Sequence, residues 1–332
     1  MIYECSGAEE LTKFYHAALD SHPKSTLIGA AKAGYLKGFP EFTQERISKF
    51  IKIEEATEAG HLRKTPASTR STTTQSKRGR PPTAKETHVE ERQAAMIDAM
   101  TVPKQEPSNK KNNLVYMTVT LADGWIASDQ TGAFPRVSNR GHKYISVFYV
   151  YGANFVKGVP VKSRHRQELL RAYEEIYKWC TVQGFKPQLQ KMDNETSKDV
   201  EEFIESQKAN VQYAAPGSHC PPAEKTVQTY KACFKSTTAS LPDKFPGGYW
   251  CRLCEQVNLS VNIVRACRQN PRLSVWALCE GDFHFDSMPI APLGTEMLMH
   301  NKPSNRRSWD HNTTKAWYIG PCLKHDRTLK GI

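Results

Sequence analysis

The sequence lacks any apolar run long enough to cross a membrane. Its longest, YISVFYVYG over 144–152, falls far short of the roughly 18–20 residues a spanning helix needs. Its first residues, MIYECSGAEEL, lack the basic start and apolar centre of a secretory signal. The expectation is an intracellular protein with no membrane partner. Nine cysteines are present, but not in the spacing of a disulfide framework, which suits a reducing compartment. No C-x2-C pair accompanies Cys5, His16, His22 and His61 near the N-terminus, so a closed four-ligand zinc site is not expected there. The C-x2-C of Cys251 and Cys254 sits inside an apolar helical pattern and reads as two buried thiols. No zinc is expected.

Acidic residues are also in deficit. The chain has 332 residues, with 46 Lys+Arg against 34 Asp+Glu and a formal net charge of +12. An excess of that sign points to a polyanionic partner, most often nucleic acid. Residues 61–113 carry eleven Lys and Arg against five Asp and Glu, which is half of the whole excess. The same stretch is rich in Ser and Thr and nearly free of large apolar residues, so it cannot bury enough surface to order itself. It reads as a basic disordered linker, with one helical pattern over 90–100. Within it, KRGRPP over 77–82 has the shape of an AT-hook. Arg78 and Arg80 would lie along a narrow minor groove, where the negative potential is deepest. A solvated linker or a nuclear import signal accounts for the motif equally well.

What remains is patterned for packing. Residues 1–60 read as helical: EELTKFYHAALDSH has helical apolar spacing, and GFPEFTQERISKFI offers Thr43 as an N-cap with Ile47, Phe50 and Ile51 on one face. From 114 onward the signals change period. LVYMTVTL, WIASD, KYISVFYVYG and NFVKGVPV read as strands, then RHRQELLRAYEEIYKWCTVQG as an amphipathic helix stopped by Gly184. KPQLQKMD is a strand, KDVEEFIESQKA a helix, and VQYAA a strand. PPAEKTVQTYKACFKST is a helix opened by prolines, followed by the helix GGYWCRLCEQVNLSVNIVRACRQ. From WIASD on, the order β-β-β-α-β-α-β-α-α is that of an α/β domain. Trp179, Trp250 and Trp276 fall at apolar helical positions and read as core. Weak strand signals over 286–325 are consistent with a small barrel.

Two strands end in a carboxylate, Asp129 and Asp193, and a third acid, Glu224, stands on the first turn of a later helix. In an open α/β sheet, positions just beyond strand ends gather at one crevice. Three carboxylates there repel one another unless cations neutralise them. Oxygen-only donors favour Mg2+ or Mn2+. Two such ions, about 3.5–4 Å apart, assist in-line phosphoryl transfer.

With those residues in view, the chain resembles the integrases of copia-like retroelements of the diatom and oomycete type, in the Asp-Asp-Glu integrase superfamily. SDQTGAFP, KMDNET and PGSHCPPAEKTVQTYKACF carry the likeness, with RGHKYISVFYVYGANFV and PRLSVWALCEGDFHFDSMPIAPLGTEMLMHNKPSNRRSW around them. It covers roughly 115–325 and, more faintly, 10–75. The resemblance implies a ribonuclease-H-like mixed sheet flanked by helices, a helical N-terminal segment and a small SH3-like β tail. The implied division is 1–60 helical, 61–113 linker, 114–285 catalytic core and 286–332 β tail. It implies metal-dependent 3′-end processing and strand transfer, with Asp129, Asp193 and Glu224 as catalytic metal ligands. Asn194, His219, Lys225 and Lys231, with Arg78 and Arg80 of the linker, would meet DNA. Two Mg2+ or Mn2+ ions, a homo-oligomer and action in the nucleus after cytoplasmic synthesis follow from the same likeness. The chain departs from the family before the glutamate, where Cys220, Pro221 and Pro222 replace an Arg- and Asn-rich stretch, and Lys225 stands where Arg is usual. The alternatives are a catalytically inactive, integrase-derived DNA-binding protein, a nuclease of the same fold that does not join strands, and a chromatin factor with no site.

Overall fold

The computed structural model describes residues 7–62, 124–192, 197–213, 221–323, 325 and 327–332. The LVYMTVTL strand, the 90–100 helix, the linker and the KRGRPP motif lie outside them. Four helices open the described chain: α1 (Ala8–Ala18), α2 (Lys24–Lys32), α3 (Gln44–Phe50) and α4 (Glu55–His61). Thr43 caps α3 as its sequence implies, its hydroxyl accepting from the Arg46 amide, and Ile47 and Ile51 are buried. The strands β1 (Trp125–Gln130), β2 (Tyr144–Val150) and β3 (Phe155–Val161) follow. Next come α5 (Arg166–Val182), β4 (Leu189–Met192), α6 (Lys198–Ser206) and β5 (Asn210–Tyr213). The helices α7 (Pro221–Ala239), α8 (Trp250–Ile263) and α9 (Val275–Glu280) complete this part.

The first five strands form one mixed sheet in the order β3-β2-β1-β4-β5. β1, β2 and β3 pair antiparallel, while β4 runs parallel to β1 and β5 parallel to β4. This helix-flanked mixed sheet is the ribonuclease-H-like architecture the resemblance implies. Strand alternation sorts side chains to two faces. Ile126, Phe148, Val150 and Val159 pack with Leu169, Tyr173 and Ile176 of α5. Trp125, Ala127, Ile145, Val147 and Val156 pack with Val227, Tyr230 and Cys233 of α7 and with Leu253 and Val257 of α8. Gly184 ends α5 because only a residue tolerant of φ +77° turns the chain there. The Gly184 amide then donates to Thr181 and the Phe185 amide to Cys180, closing two of the carbonyls left open at the helix end.

Helix α8 is buried along most of its length, yet it carries four polar residues in alternate positions. Asn262 accepts from the Val156 amide at 3.0 Å and donates to the Val156 carbonyl at 2.7 Å. Asn258, one turn earlier, does the same for Gly158, at 2.8 and 3.0 Å. Two amide side chains thus stand in for a neighbouring strand and cover the outer edge of β3, which would otherwise be open to non-native pairing. Gln256 donates to the carbonyls of Ala18, at the end of α1, and Ala291, and accepts from the Tyr318 hydroxyl. Ser260 donates to Asp20, just after α1. Tyr15, Leu19 and Leu27 share a hydrophobic cluster with Leu259 and Ile263 of α8 and with Phe283 and Phe285. The N-terminal helices therefore lie on the back of α8.

The tail is a three-stranded antiparallel sheet of β6 (Glu296–His300), β7 (Thr313–Pro321) and β8 (Leu329–Gly331), with β7 central. Tyr318 and Ile319 of β7 dock in the α8 cluster. Among the described residues these strands make an open sheet, where the sequence signals led to a small barrel. β8, only three residues long, carries too little pattern to announce itself.

Replacing Asn262 with Ala strands a buried amide and carbonyl of Val156. It should lower stability by about 2–3 kcal/mol, whereas half-buried Asn258, which water can replace, should cost about 1 kcal/mol as Ala. Urea unfolding of the two variants reads this difference directly; equal costs would contradict it.

Candidate active site

The stretch SDQTGAFP begins inside β1. Ser128 points to the α5 face and is buried; Asp129 is half-buried and follows the alternation of Trp125 and Ala127 toward the face covered by α7. The Asp129 carboxylate accepts from the Gln130 amide at 2.6 Å. The strand does not stop there. The Thr131 amide donates to the Ile145 carbonyl, and the Thr131 hydroxyl accepts from the Ile145 amide, so one more rung forms with a side chain in place of a carbonyl. The chain then turns at Gly132, and Phe134 returns to the core. Its ring stacks on Trp250 at 4.4 Å and meets Phe234 edge-on at 5.8 Å. The turn is sharp because an aromatic anchor follows the strand within a few residues.

Beneath Asp129 lies a buried polar chain. The Ser128 and Tyr173 hydroxyls are 2.6 Å apart, the Gln190 amide donates to Ser128 at 3.0 Å, and the Tyr177 hydroxyl donates to Gln190 at 3.4 Å. Burial pushes the Tyr173 hydroxyl up to about 12, against a lowering by Ser128 and with a further rise from the Asp129 carboxylate. Tyr173 therefore stays protonated. The chain locks β1 to β4 and both strands to α5, fixing the backbone from which Asp129 projects.

β1 and β4 run in the same direction, so their carboxyl ends share one edge of the sheet. β4 ends at Met192, and Asp193 is the next residue in the chain. Asp193 itself lies outside the described residues, as do Asn194, His219, Arg78 and Arg80. Glu224 sits in the first turn of α7, exposed, with Gln228 donating to it at 3.5 Å. Ala223 and Val227, on either side of it, bury against the sheet. Glu224, Gln228, Lys231 and Lys235 form one exposed stripe along α7, and Lys225 is exposed beside it. The structure thus brings Asp129 and α7 to one face of the sheet and sets Lys231 on the same helix stripe as Glu224.

A further group of residues emerges only from strand pairing. β2 begins, and β3 ends, at the sheet edge where β1 ends. The loops there expose Arg136, Arg140, Lys143, Lys162, Arg164 and Arg166. Arg164 donates to the Thr131 carbonyl at 3.2 Å and lies over the Tyr144 ring. Arg166 pairs with Asp199 at 3.4 Å. Such a fringe draws in phosphates and raises their local concentration. The stretches RVSNRGHK and KSRHR carry these residues, but nothing in their spacing tells that the two loops meet.

No protein-family model and no curated protein matches the chain. Solved structures do match. The HTLV-2 integrase catalytic core domain in complex with magnesium, in its dimeric form, is 14% identical over 48% of this chain and 95% of that one, with a TM-score of 0.35. A simian T-cell lymphotropic virus intasome in complex with PP2A regulatory subunit B56 gamma is 13% identical over 65% and 80%, with a TM-score of 0.35. The BIV integrase catalytic core is 10% identical over 47% and 93%, with a TM-score of 0.33. At that level of likeness, any functional reading has to stand on this chain's own residues.

Gln190 is fully buried and sits at the centre of the polar chain. Gln190→Ala removes its amide and leaves a cavity, and should cost about 2–4 kcal/mol; Tyr173→Phe, which leaves Ser128 still bonded to Gln190, should cost about 1 kcal/mol. Denaturant midpoints of the two variants test that order.

Proposed function

We propose that the chain is an integrase-type polynucleotidyl transferase, acting on DNA by metal-dependent 3′-end processing and strand transfer. The observation that carries this reading is the position of Asp129. It projects from the carboxyl end of β1, at the edge shared with the end of β4, toward the face that α7 covers. Asp193 follows β4, and Glu224 opens α7. The motifs around these acids resemble those of copia-like integrases, and exposed cations fringe the same sheet end.

The donor set fits a hard divalent cation: the three acids offer only carboxylate oxygens, without thiolate or imidazole. Asp129, Asp193 and Glu224 would hold Mg2+ or Mn2+, which when bound supplies charge neutralisation at the reacting phosphate and a more acidic attacking oxygen. The protein's own part is placement. The Ser128–Tyr173–Gln190 chain holds the β1 end rigid, so the carboxylate needs little reorganisation. The loop cations and Lys231 grip the phosphodiester backbone on either side of the reacting bond. A 3′-hydroxyl, or water in end processing, would then attack the phosphorus in line as the bond to the 3′-oxygen of the cut strand breaks, and that oxygen leaves as a hydroxyl after taking a proton from solvent. DNA is the partner, and a homo-oligomer in the nucleus is part of the same reading.

A second reading is a DNA-binding protein that no longer cuts. It is favoured by one observation, the Cys220-Pro221-Pro222 sequence where related elements place Arg and Asn before the glutamate. A strand-transfer assay with blunt duplex ends and Mg2+ or Mn2+ separates the two. Joined products from the wild type, reduced by at least about 100-fold in Asp129→Asn and Glu224→Gln, support the enzyme, since electrostatic and metal-holding groups contribute on that scale. Binding with no joined or cut product supports the descendant, and shortened strands without joining support a simple nuclease.

DNA affinity gives an independent check. Lys143→Ala with Lys162→Ala should weaken binding to any sequence and flatten the dependence of log affinity on log salt by roughly two, about one for each phosphate no longer neutralised. Fluorescence anisotropy across a salt series measures the slope; an unchanged slope places the DNA elsewhere.

A further inference from the structure

We propose that His22, His61 and Cys233 form a zinc site that staples the N-terminal helices to α7. One ring nitrogen from each histidine and the cysteine sulfur lie within 4.8 Å of one another. The His22 Nδ1 to Cys233 Sγ distance is 3.7 Å. A tetrahedral zinc ion, with Zn–N near 2.0–2.1 Å and Zn–S near 2.3 Å, sets its nitrogen and sulfur ligands about 3.6 Å apart. An imidazole pair with a thiolate suits zinc far better than the hard cations of the acidic site.

The surroundings are built to present these atoms. His22 follows Asp20 and Ser21, two non-glycine residues with φ of 59° and 48°. Consecutive left-handed residues are costly and persist only where the surrounding structure holds them. Here they turn the chain inward at the end of α1 and bury His22. His16 donates from Nε2 to the His22 carbonyl at 2.9 Å and so fixes that turn. The Thr57 hydroxyl of α4 donates to the Ser21 carbonyl at 3.0 Å, and the Ser236 hydroxyl of α7 donates to the Ala56 carbonyl at 2.8 Å. Gly60 lets α4 and α7 touch: a Cβ there would lie 2.3 Å from the Ala232 carbonyl. The next residue on α4 is His61, and the next on α7 is Cys233. His61 is half-buried at a cavity of about 350 Å³ that His16 also lines, and water from it takes the fourth metal position. When the Zn–S bond forms, the Cys233 thiol releases its proton to solvent.

This site differs from a zinc module closed within the N-terminal segment. Its thiol comes from the helix that carries Glu224, 211 positions beyond His22. Metal binding therefore fixes α7, and with it the register of the exposed stripe. It stands independently of the acid chemistry, so failure of either reading leaves the other intact. It runs against the expectation, read from the sequence, that no zinc is held.

The test uses the full chain, stripped with a chelator and reloaded with Zn2+ in excess Mg2+, then freed of unbound metal by gel filtration. The wild type and Cys322→Ser should keep close to one zinc per chain; Cys233→Ser and His61→Ala should lose it. Loaded with Co2+, the wild type should show a near-ultraviolet thiolate-to-cobalt band that Cys233→Ser lacks. Zinc should raise the unfolding temperature of the wild type and leave that of His61→Ala unchanged. Should Cys233→Ser fail to fold, His61→Gln, a change at the half-exposed end of α4, gives the same reading. Equal zinc retention in all variants, or a cobalt form without a thiolate band, overturns the proposal.

Discussion

The structure depends on a helix that buries polar side chains. In α8, Gln256, Asn258, Ser260 and Asn262 stand among apolar residues in a helix surrounded by protein on nearly every side. An unpaired amide or hydroxyl in that setting costs about 1–3 kcal/mol, so each must find a partner, and together they reach several different elements. Asn258 and Asn262 take the edge of β3. Gln256 takes the end of α1, the approach to the tail and the hydroxyl of Tyr318 in β7. Ser260 takes Asp20. Apolar packing would hold these elements against α8 without fixing their register. The hydrogen bonds fix it, because a helix shifted by one residue would leave several of them unmade.

That register reaches the candidate active site along two routes. One passes from β3 through β2 to β1, whose carboxyl end bears Asp129. The other passes through α7, which packs against both α8 and the same face of the sheet, with Tyr230 lying over Gly158 of β3, where a Cβ would fall 2.2 Å from the ring. Gly158 is thus needed for close approach rather than for its backbone angles. The site is assembled from both sides of the sheet. The α5 face supplies the buried Ser128–Tyr173–Gln190 chain that stiffens β1 and β4, and the α7 face receives the acid. The cations at the strand ends complete it from the loops before β2 and after β3.

Much of this was legible in the residues. The apolar runs of β2 and β3, the helical spacing that ends at Gly184, and the prolines opening α7 are strong local signals, and those elements form where their patterns lie. The position of Asp129 was readable because strand ends in an α/β sheet gather at one edge. Other features were not readable, for one shared reason: they are set by residues distant in sequence. The alternating polar residues of α8 look like an interruption of an apolar helix until β3 lies beside them. Arg136 and Arg164 belong to loops whose meeting depends on β1 pairing with β2 and β2 with β3. His22 and His61 have no suitable thiol near them in the chain, and Cys233 reaches them only through the close approach of α4 and α7 at Gly60. Closure of the tail into a barrel was not readable either, because strand propensity gives no closure rule; among the described residues three short strands, one of them three residues long, pack on α8.

The central claim is that acids far apart in the chain serve one cation-binding pocket at the end of β1 and β4. A crystal of the full chain soaked in Mn2+, with anomalous difference maps, tests it most directly. The account predicts manganese density touching the carboxylates of Asp129 and Asp193, with Glu224 turned toward it. Manganese bound elsewhere, with the Glu224 carboxylate directed away from Asp129, would contradict it.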